Sequence, residues 1–197
     1  MAIGNIKKGK LLYHLTRLSN LDSILEHGLI SRKLVKDNDV RFFDIADSKI
    51  ISKRTELGLD VYTPFHFHPY SSFDVAVKST YEDEDFMYIC ITRELAKHNK
   101  FKILPRHPLN IEENYQLYDY EEGFEAIDWD TMHKLGTEDR YTKNVKMAEC
   151  LTPLTVPAKL FHCIYVKNEG TRSVVMNKLH SKGINKTPPF VDVGRWL

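Results

Sequence analysis

The sequence predicts an α+β fold, and three observations carry that expectation. Phe86–Thr92 (FMYICIT) is a continuous β-prone run and Leu160–Val166 (LFHCIYV) a second strong strand candidate, both rich in β-branched and aromatic residues. Leu18, Leu21, Ile24 and Leu25 recur at helical spacing. Strand-like and helix-like stretches follow one another without the strict βα alternation of a doubly wound sheet. A length of 197 residues suits one domain with a substantial core, so residues 1–197 are expected to form a single domain.

Taken in order, Leu11–Thr16 (LLYHLT) reads as a short strand. Leu18–His27 follows as a helix, with Ser19 or Asn20 placed to cap its start and Gly28 just past its end. Leu29 and Ile30 begin another extended piece. Residues 31–60 are polar and irregular, with a helix expected within Asp44–Leu57. Val61–Phe67 (VYTPFHF) reads as extended, and Pro64 argues for an edge or broken strand. Ser72–Lys78 supports one or two helical turns. Phe86–Thr92 is the central strand candidate, followed by a helix over Arg93–Asn99 and a strand over Phe101–Leu104 closed by Pro105. Residues 105–119 read as a long loop. In Tyr120–Lys134, Phe124, Ile127 and Met132 stand at roughly helical intervals. Leu160–Val166 is the second strong strand, Arg172–His180 a helix, and Phe190–Val193 a short final strand.

Composition narrows the function classes only a little. The formal net charge is +1, so no global positive field marks a nucleic-acid binder, and any basic surface must come from local clustering. There is no glycine loop of the phosphate-binding or dinucleotide-binding type. Cys90, Cys150 and Cys163 form no close pair in sequence and no metal-ligand spacing. An odd, sparse count points to a reducing compartment, with Cys90 and Cys163 acting as small buried hydrophobes. The N-terminal MAIGNIKKGK lacks the apolar segment of a signal peptide, and no apolar run approaches the ~20 residues of a membrane span. A cytoplasmic location without membrane partners is the default expectation.

Several residues stand out chemically. In a strand, His14 and Thr16 face the same side. They could hold a ribose hydroxyl or a carboxamide, or simply form a half-exposed strand face with a satisfied histidine. His66 and His68 flank Phe67, but no further ligand pair has metal spacing, so no metal is expected. Arg54, in a polar helix, reads by itself as a solvated charge. Glu149 lies between apolar neighbours, and a buried carboxylate needs a partner or a task; a structural salt bridge is the alternative. Asp128 and Asp130 flank Trp129, and on a helix they would not share a face. Tyr115, Tyr118 and Tyr120 could stack bases or pack a loop.

The order of these signals resembles a known family. Tyr13-His14-Leu15-Thr16, then Asn20-Leu21, Ile24-Leu25 and Gly28, is similar to the opening of the DarT family of ADP-ribosyltransferases, which runs Y-H-x-T, N-L, I-L and G. Ile45–Arg54 resembles the family's NAD-covering helix, ending in its functional arginine. Thr63-Pro64-Phe65-His66-Phe67 with Pro69 is similar to V-P-F-Y-F-x-P, and Ile127-Asp128-Trp129-Asp130 resembles a further block. Lys146-Met147-Ala148-Glu149-Cys150-Leu151 resembles Q-A-E-F-L, which carries the catalytic glutamate. The resemblance spans roughly residues 11–180. There are departures. Tyr70 stands where many members have arginine, Cys150 replaces an aromatic, and residues 136–147 are unlike the family.

The resemblance implies an ADP-ribosyltransferase-like fold: a split, mostly antiparallel sheet with surrounding helices and an NAD cleft. It implies Glu149 and Arg54 as catalytic residues, and His14, Leu15, Thr16, Asn20 and Ser23 as the NAD+ site. Arg140, Tyr141, Lys143 and Lys146, in a substrate-facing loop, become candidates for substrate binding; a solvated charged turn is the alternative. NAD+ is then a co-substrate and no metal is needed. The implied partners are single-stranded nucleic acid, DNA ahead of RNA, and a possible cognate antitoxin, in a toxin–antitoxin or phage-defence role. An RNA or protein acceptor, or a non-catalytic binding module, are the rival expectations.

Overall fold

The structure, a computed structural model, describes residues 5–107, 115–134, 136, 139–194 and 197. These form one seven-stranded sheet from β1 (Leu11–Arg17), β2 (Thr63–His66), β3 (Phe86–Thr92), β4 (Lys102–Leu104), β5 (Glu149–Thr152), β6 (Cys163–Val166) and β7 (Phe190–Val193), in the order β4-β5-β2-β1-β3-β6-β7. Every neighbouring pair is antiparallel except β6–β7. The helices are α1 (Leu21–His27), α2 (Arg32–Asp37), α3 (Ser48–Glu56), α4 (Ser72–Thr80), α5 (Arg93–His98), α6 (Tyr120–Ala126), α7 (Trp129–His133), α8 (Arg140–Lys146) and α9 (Glu169–Ser181). The α+β class and the mostly antiparallel sheet are as expected.

The main core lies against one face of the sheet. Leu12, Phe65, Ile89, Cys150 and Ile164 meet Leu21 and Ile24 of α1, Ala96 of α5, Met132 of α7, and Val175 and Leu179 of α9. The opposite face carries Leu15, Phe86, Tyr88, Cys90 and Cys163, packed by Val77 of α4. β3 is apolar along its length because both its faces are covered.

The split in the sheet follows from one residue. β1 pairs with β3 over its whole length, from Leu11↔Thr92 to Arg17↔Phe86, but with β2 only at Tyr13↔His66. β2 pairs with β5 at all four positions. Pro64 has no N–H to offer a ladder. Its carbonyl turns toward β1 and accepts from His14 Nδ1 at 2.8 Å, a side chain standing where a strand bond would be. Pro64 therefore breaks the pairing on the β1 side alone, in an interior strand and not at an edge.

Several boundaries differ from the sequence reading. A 3-10 turn, Leu18–Asn20, precedes α1, and neither Ser19 nor Asn20 caps it through its side chain. The helix expected within 44–57 begins only at Ser48, where Asp47 caps it. The stretch 120–134 is two helices, parted where Ile127 turns extended and Asp128 caps α7. Residues 140–146, expected as loop, form α8 under an Asp139 cap. β6 starts at Cys163, after a 3-10 turn at Ala158–Leu160. Positions 108–114 of the expected loop, and 137 and 138 of the 136–147 segment, lie outside the described residues. Cys90 and Cys163, distant in sequence, are direct cross-strand partners.

Gly28 ends α1 at φ 81°, and a Cβ there would stand 2.7 Å from Thr155 Cγ2. Only glycine combines that backbone with that approach. The turn brings Leu29 into a bridge with Val156 and sends Leu29 and Ile30 to the wall of the cleft.

Candidate active site

A cleft opens where the sheet is split. It is lined by His14 and Leu15 of β1, Leu29, Ile30, Arg32, Asp44–Ala46, Arg54 of α3, Thr63, Pro64 and His66 of β2, Phe73 and Asp74 of α4, His107, Met147 and Glu149. About 900 Å³ within it is free of protein atoms, its open mouth included.

Glu149 is the first residue of β5, set between His66 of β2 and Leu104 of β4. It is 3% exposed, and Arg54 is 5% exposed. Arg54 Nη1 donates to both carboxylate oxygens, at 2.8 and 3.0 Å. Arg54 is thus not the solvated charge that α3 suggested: its helix is otherwise polar, but its last turn points one cation inward. Burial pushes the Glu149 carboxyl up; the charge of Arg54, then those of His66 and His107, outweigh it and hold the group below the usual glutamate value.

The cleft wall carries several buried polar atoms without a protein partner: Arg54 Nη2, Thr63 Oγ1, Asp74 Oδ1 and His107 Nδ1. Buried polar groups cost free energy unless hydrogen-bonded, so these four atoms hold unused bonding capacity on residues that line the cleft. Asp74 belongs to the capping box of α4, with Oδ2 accepting from the Ser71 N–H at 2.7 Å. The His107 N–H donates to the Asn144 carbonyl of α8 at 2.9 Å.

His14 is pushed down to about 4 by burial, only partly offset by its bond to the Pro64 carbonyl. A carbonyl can only accept, so Nδ1 carries the proton and Nε2 of the neutral ring is left as an acceptor. Burial also pushes His107 down to about 4. Among the described residues, no group of three or more His, Cys, Asp or Glu could hold a metal ion.

The expected NAD+ residues divide. His14 and Leu15 line the cleft; Thr16, Asn20 and Ser23 do not. Asn20 Nδ2 donates to Thr16 Oγ1 at 3.1 Å and to the Phe43 carbonyl at 3.0 Å, and its Oδ1 accepts the Phe43 N–H at 2.8 Å. This triad fixes the segment leading into Asp44–Ala46, which does line the cleft. Ser23 is half-buried in α1. Arg140, Tyr141 and Lys143 are exposed on α8, with Lys146 half-buried at its end; the cleft wall begins one residue later, at Met147. Tyr141 donates to Asp128 at 3.0 Å.

Of the other cleft-lining residues, the sequence offers His66 only as a metal-ligand candidate and does not single out Asp74 or His107. His66 was legible as the partner of a carboxylate only once β2 and β5 were paired. No local pattern marks Asp74 or His107.

A family model described as "DarT: ssDNA thymidine ADP-ribosyltransferase, DarT" matches residues 13–196. The fold is similar to that of Thermus sp. 2.9 DarT in complex with ADP-ribosylated ssDNA, at a TM-score of 0.78 and 20% identity, covering 94% of each chain. It is similar to the same protein in complex with carba-NAD+, at 0.76 and 20%, covering 95% of this chain and 97% of that one. Thermosipho africanus DarTG in complex with ADP-ribose matches at 0.72 and 20%, over 94% of this chain but 50% of that one. No curated protein matches the chain in sequence.

Proposed function

We infer from its membership of the DarT family, to which this chain belongs over residues 13–196, that it transfers ADP-ribose from NAD+ to a thymine base of single-stranded DNA. The observation that carries the reading is the Arg54–Glu149 pair, buried in a cleft that His14 also lines.

NAD+ is the co-substrate. Breaking its nicotinamide–ribose bond leaves an oxocarbenium-like sugar, as in glycoside hydrolysis. Glu149, held ionised by Arg54, puts a negative charge where that positive charge develops. The Nε2 of neutral His14 accepts from a ribose hydroxyl or the carboxamide N–H2, and Leu15 provides an apolar wall. Thr16 and Asn20 act indirectly, by fixing the segment at Phe43.

The chemistry of the pair also narrows the base. In a thymine nucleotide the only ring N–H is flanked by carbonyl oxygens. Glu149 accepts that proton as the nitrogen attacks the sugar, and Arg54, through the unpartnered Nη2, donates to an adjacent carbonyl as negative charge moves onto it. Adenine and cytosine nucleotides lack such a ring N–H. Guanine offers a related edge and is the informative control. A base in a duplex must be flipped out at a cost of a few kcal/mol, which favours a single strand.

Mass spectrometry of oligonucleotides incubated with protein and NAD+ tests this. Single-stranded DNA with one T, G, A or C, and the RNA equivalents, are compared for wild type and Glu149→Gln. The expectation is one ADP-ribose increment on the T-containing DNA, absent in the variant. Transfer to RNA or protein alone would replace the acceptor; NAD+ binding without transfer would replace the enzyme with a binding module.

A toxin role beside a cognate antitoxin is part of the same proposal, tested by whether expression of wild type, and not of Glu149→Gln, arrests growth. Among the described residues no helix is long and apolar enough to cross a membrane. The three free, buried cysteines support a cytoplasmic location.

A further inference from the structure

Tyr70 is an outlier beside the cleft. Its φ is 68°, in the left-handed region that L-residues adopt at a cost. Strain of that kind persists where surrounding contacts over-determine it, and it concentrates at functional positions. Burying the ring would account for it, but Tyr70 is 52% exposed. The backbone is nevertheless held firmly. The Tyr70 N–H donates to the buried Tyr88 hydroxyl at 3.0 Å, and the next residue, Ser71, closes the capping box of α4 with Asp74. The Lys78 ammonium stands 4.9 Å from the Tyr70 ring centroid. The fold thus maintains an unfavourable backbone to keep an aromatic ring at the surface against a cation.

The ring is also in a telling place. Three and four residues on, Phe73 and Asp74 line the cleft. Two residues back, His68 lies between the Pro69 carbonyl, 2.9 Å from Nδ1, and the Lys146 carbonyl at the end of α8, 3.2 Å from Nε2. Met147, next after Lys146, also lines the cleft. The Pro69–Tyr70 turn therefore stands next to two segments that run into the cleft lining, one at Phe73 and one, through His68 and the end of α8, at Met147. An exposed aromatic with a neighbouring cation is the device by which proteins hold a single strand without reading its sequence.

We propose that Tyr70 is the stacking platform for the nucleotide next to the target base, positioning the strand across the cleft. This rests on the single-stranded DNA reading above.

Two variants separate the ring from the backbone. Tyr70→Asn suits the left-handed conformation and removes the ring, so it keeps the fold. Tyr70→Trp keeps an aromatic face. Each is assayed by steady-state transfer to oligonucleotides carrying the target thymine with normal flanks, or with an abasic residue on the 5′ or the 3′ side. Tyr70→Asn raises the KM for DNA about tenfold, within the range of one base–aromatic stack. It leaves the KM for NAD+ and the melting temperature unchanged, and Tyr70→Trp stays near wild type. In wild type, one of the two abasic positions costs the same about tenfold, and in Tyr70→Asn that lesion costs nothing further. Wild-type KM in Tyr70→Asn, or abasic penalties that multiply with the variant's at both flanks, overturns the proposal. If wild type modifies no DNA, the acceptor reading fails first and Tyr70 falls with it; if it does and Tyr70→Asn is unaffected, Tyr70 alone is wrong.

Discussion

Arg54 contacts Glu149 through Nη1 alone, at 2.8 and 3.0 Å, and leaves Nη2 buried without a partner on the cleft wall. A forked, two-nitrogen pairing would engage a second nitrogen as well. This one neutralises and orients the carboxylate through Nη1 and leaves the Nη2 donors uncommitted.

Glu149→Gln is expected to lower kcat for transfer by about 100-fold or more, the scale of losing one preorganised charge at the reacting centre. NAD+ affinity, read by calorimetry, should change little, because the amide keeps the shape and can still accept from Arg54. Activity within a few-fold of wild type would remove Glu149 from the mechanism.

Removing one partner of this buried pair should also unfold the protein more readily. Arg54→Met alone is expected to cost about 3–5 kcal/mol in urea unfolding, because it leaves Glu149 charged and buried. Adding Glu149→Leu should recover most of that loss while the double variant remains inactive. A single variant as stable as wild type would mean that the pair is solvated.

Stability should fall with acid over a defined window. His14 and His107 are pushed down to about 4 by burial. Their folded values lie below the unfolded value near 6.5, so between about 6.5 and 4 the unfolded chain binds protons that the fold refuses. Stability is full above about 6.5 and declines toward 4, at up to about 1.4 kcal/mol per pH unit for each histidine. His14 borders the open cleft, so its share will fall short of that limit. Glu149 has its carboxyl held low, and its contribution is lost only below the ordinary glutamate range. Urea midpoints at pH 7.5 and 5.5 check this, and a His14→Gln variant should show the shallower slope.

Gly28→Ala should destabilise by about 1–3 kcal/mol, because φ 81° strains any side chain and the new Cβ meets Thr155. The KM for NAD+ should rise as well, since Leu29 and Ile30 follow directly into the cleft wall. Unchanged melting and kinetics together would show that the turn relaxes freely.

DNA binding should weaken with salt through α8. If Arg140 and Lys143 each contact a phosphate, Arg140→Gln and Lys143→Gln will each reduce the slope of log affinity against log salt by about 0.7. Slopes equal to wild type would assign these residues to a solvated helix face.

Legibility in the sequence tracked how local the determining interaction is. β3 was read to its exact ends because both its faces are covered, so that every position in Phe86–Ile91 is apolar and buried. α8 was missed because its cap, Asp139, sits beside a stretch with no helical apolar stripe. The break at Ile127 was missed because Phe124 and Met132 keep nearly helical intervals across it. Pro64 was read as an edge or break, and only the pairing with β5 shows that the break is one-sided.

By itself, the sequence determined the α+β class, the strands β1, β3 and β6, the glycine turn after α1, and the ordered set Tyr13–Thr16, Arg54, Pro64 and Glu149, but neither α2 nor α8. These follow from periodicity, backbone permissiveness and residue order, which are local properties. Tertiary structure alone decided that Arg54 is buried against a carboxylate 95 positions away, that His66, Asp74 and His107 share its cleft, and that Thr16 and Asn20 support that cleft from outside. The physical reason is that desolvation and charge pairing act through space: a polar residue's role depends on which distant group replaces its water, and sequence spacing does not encode that.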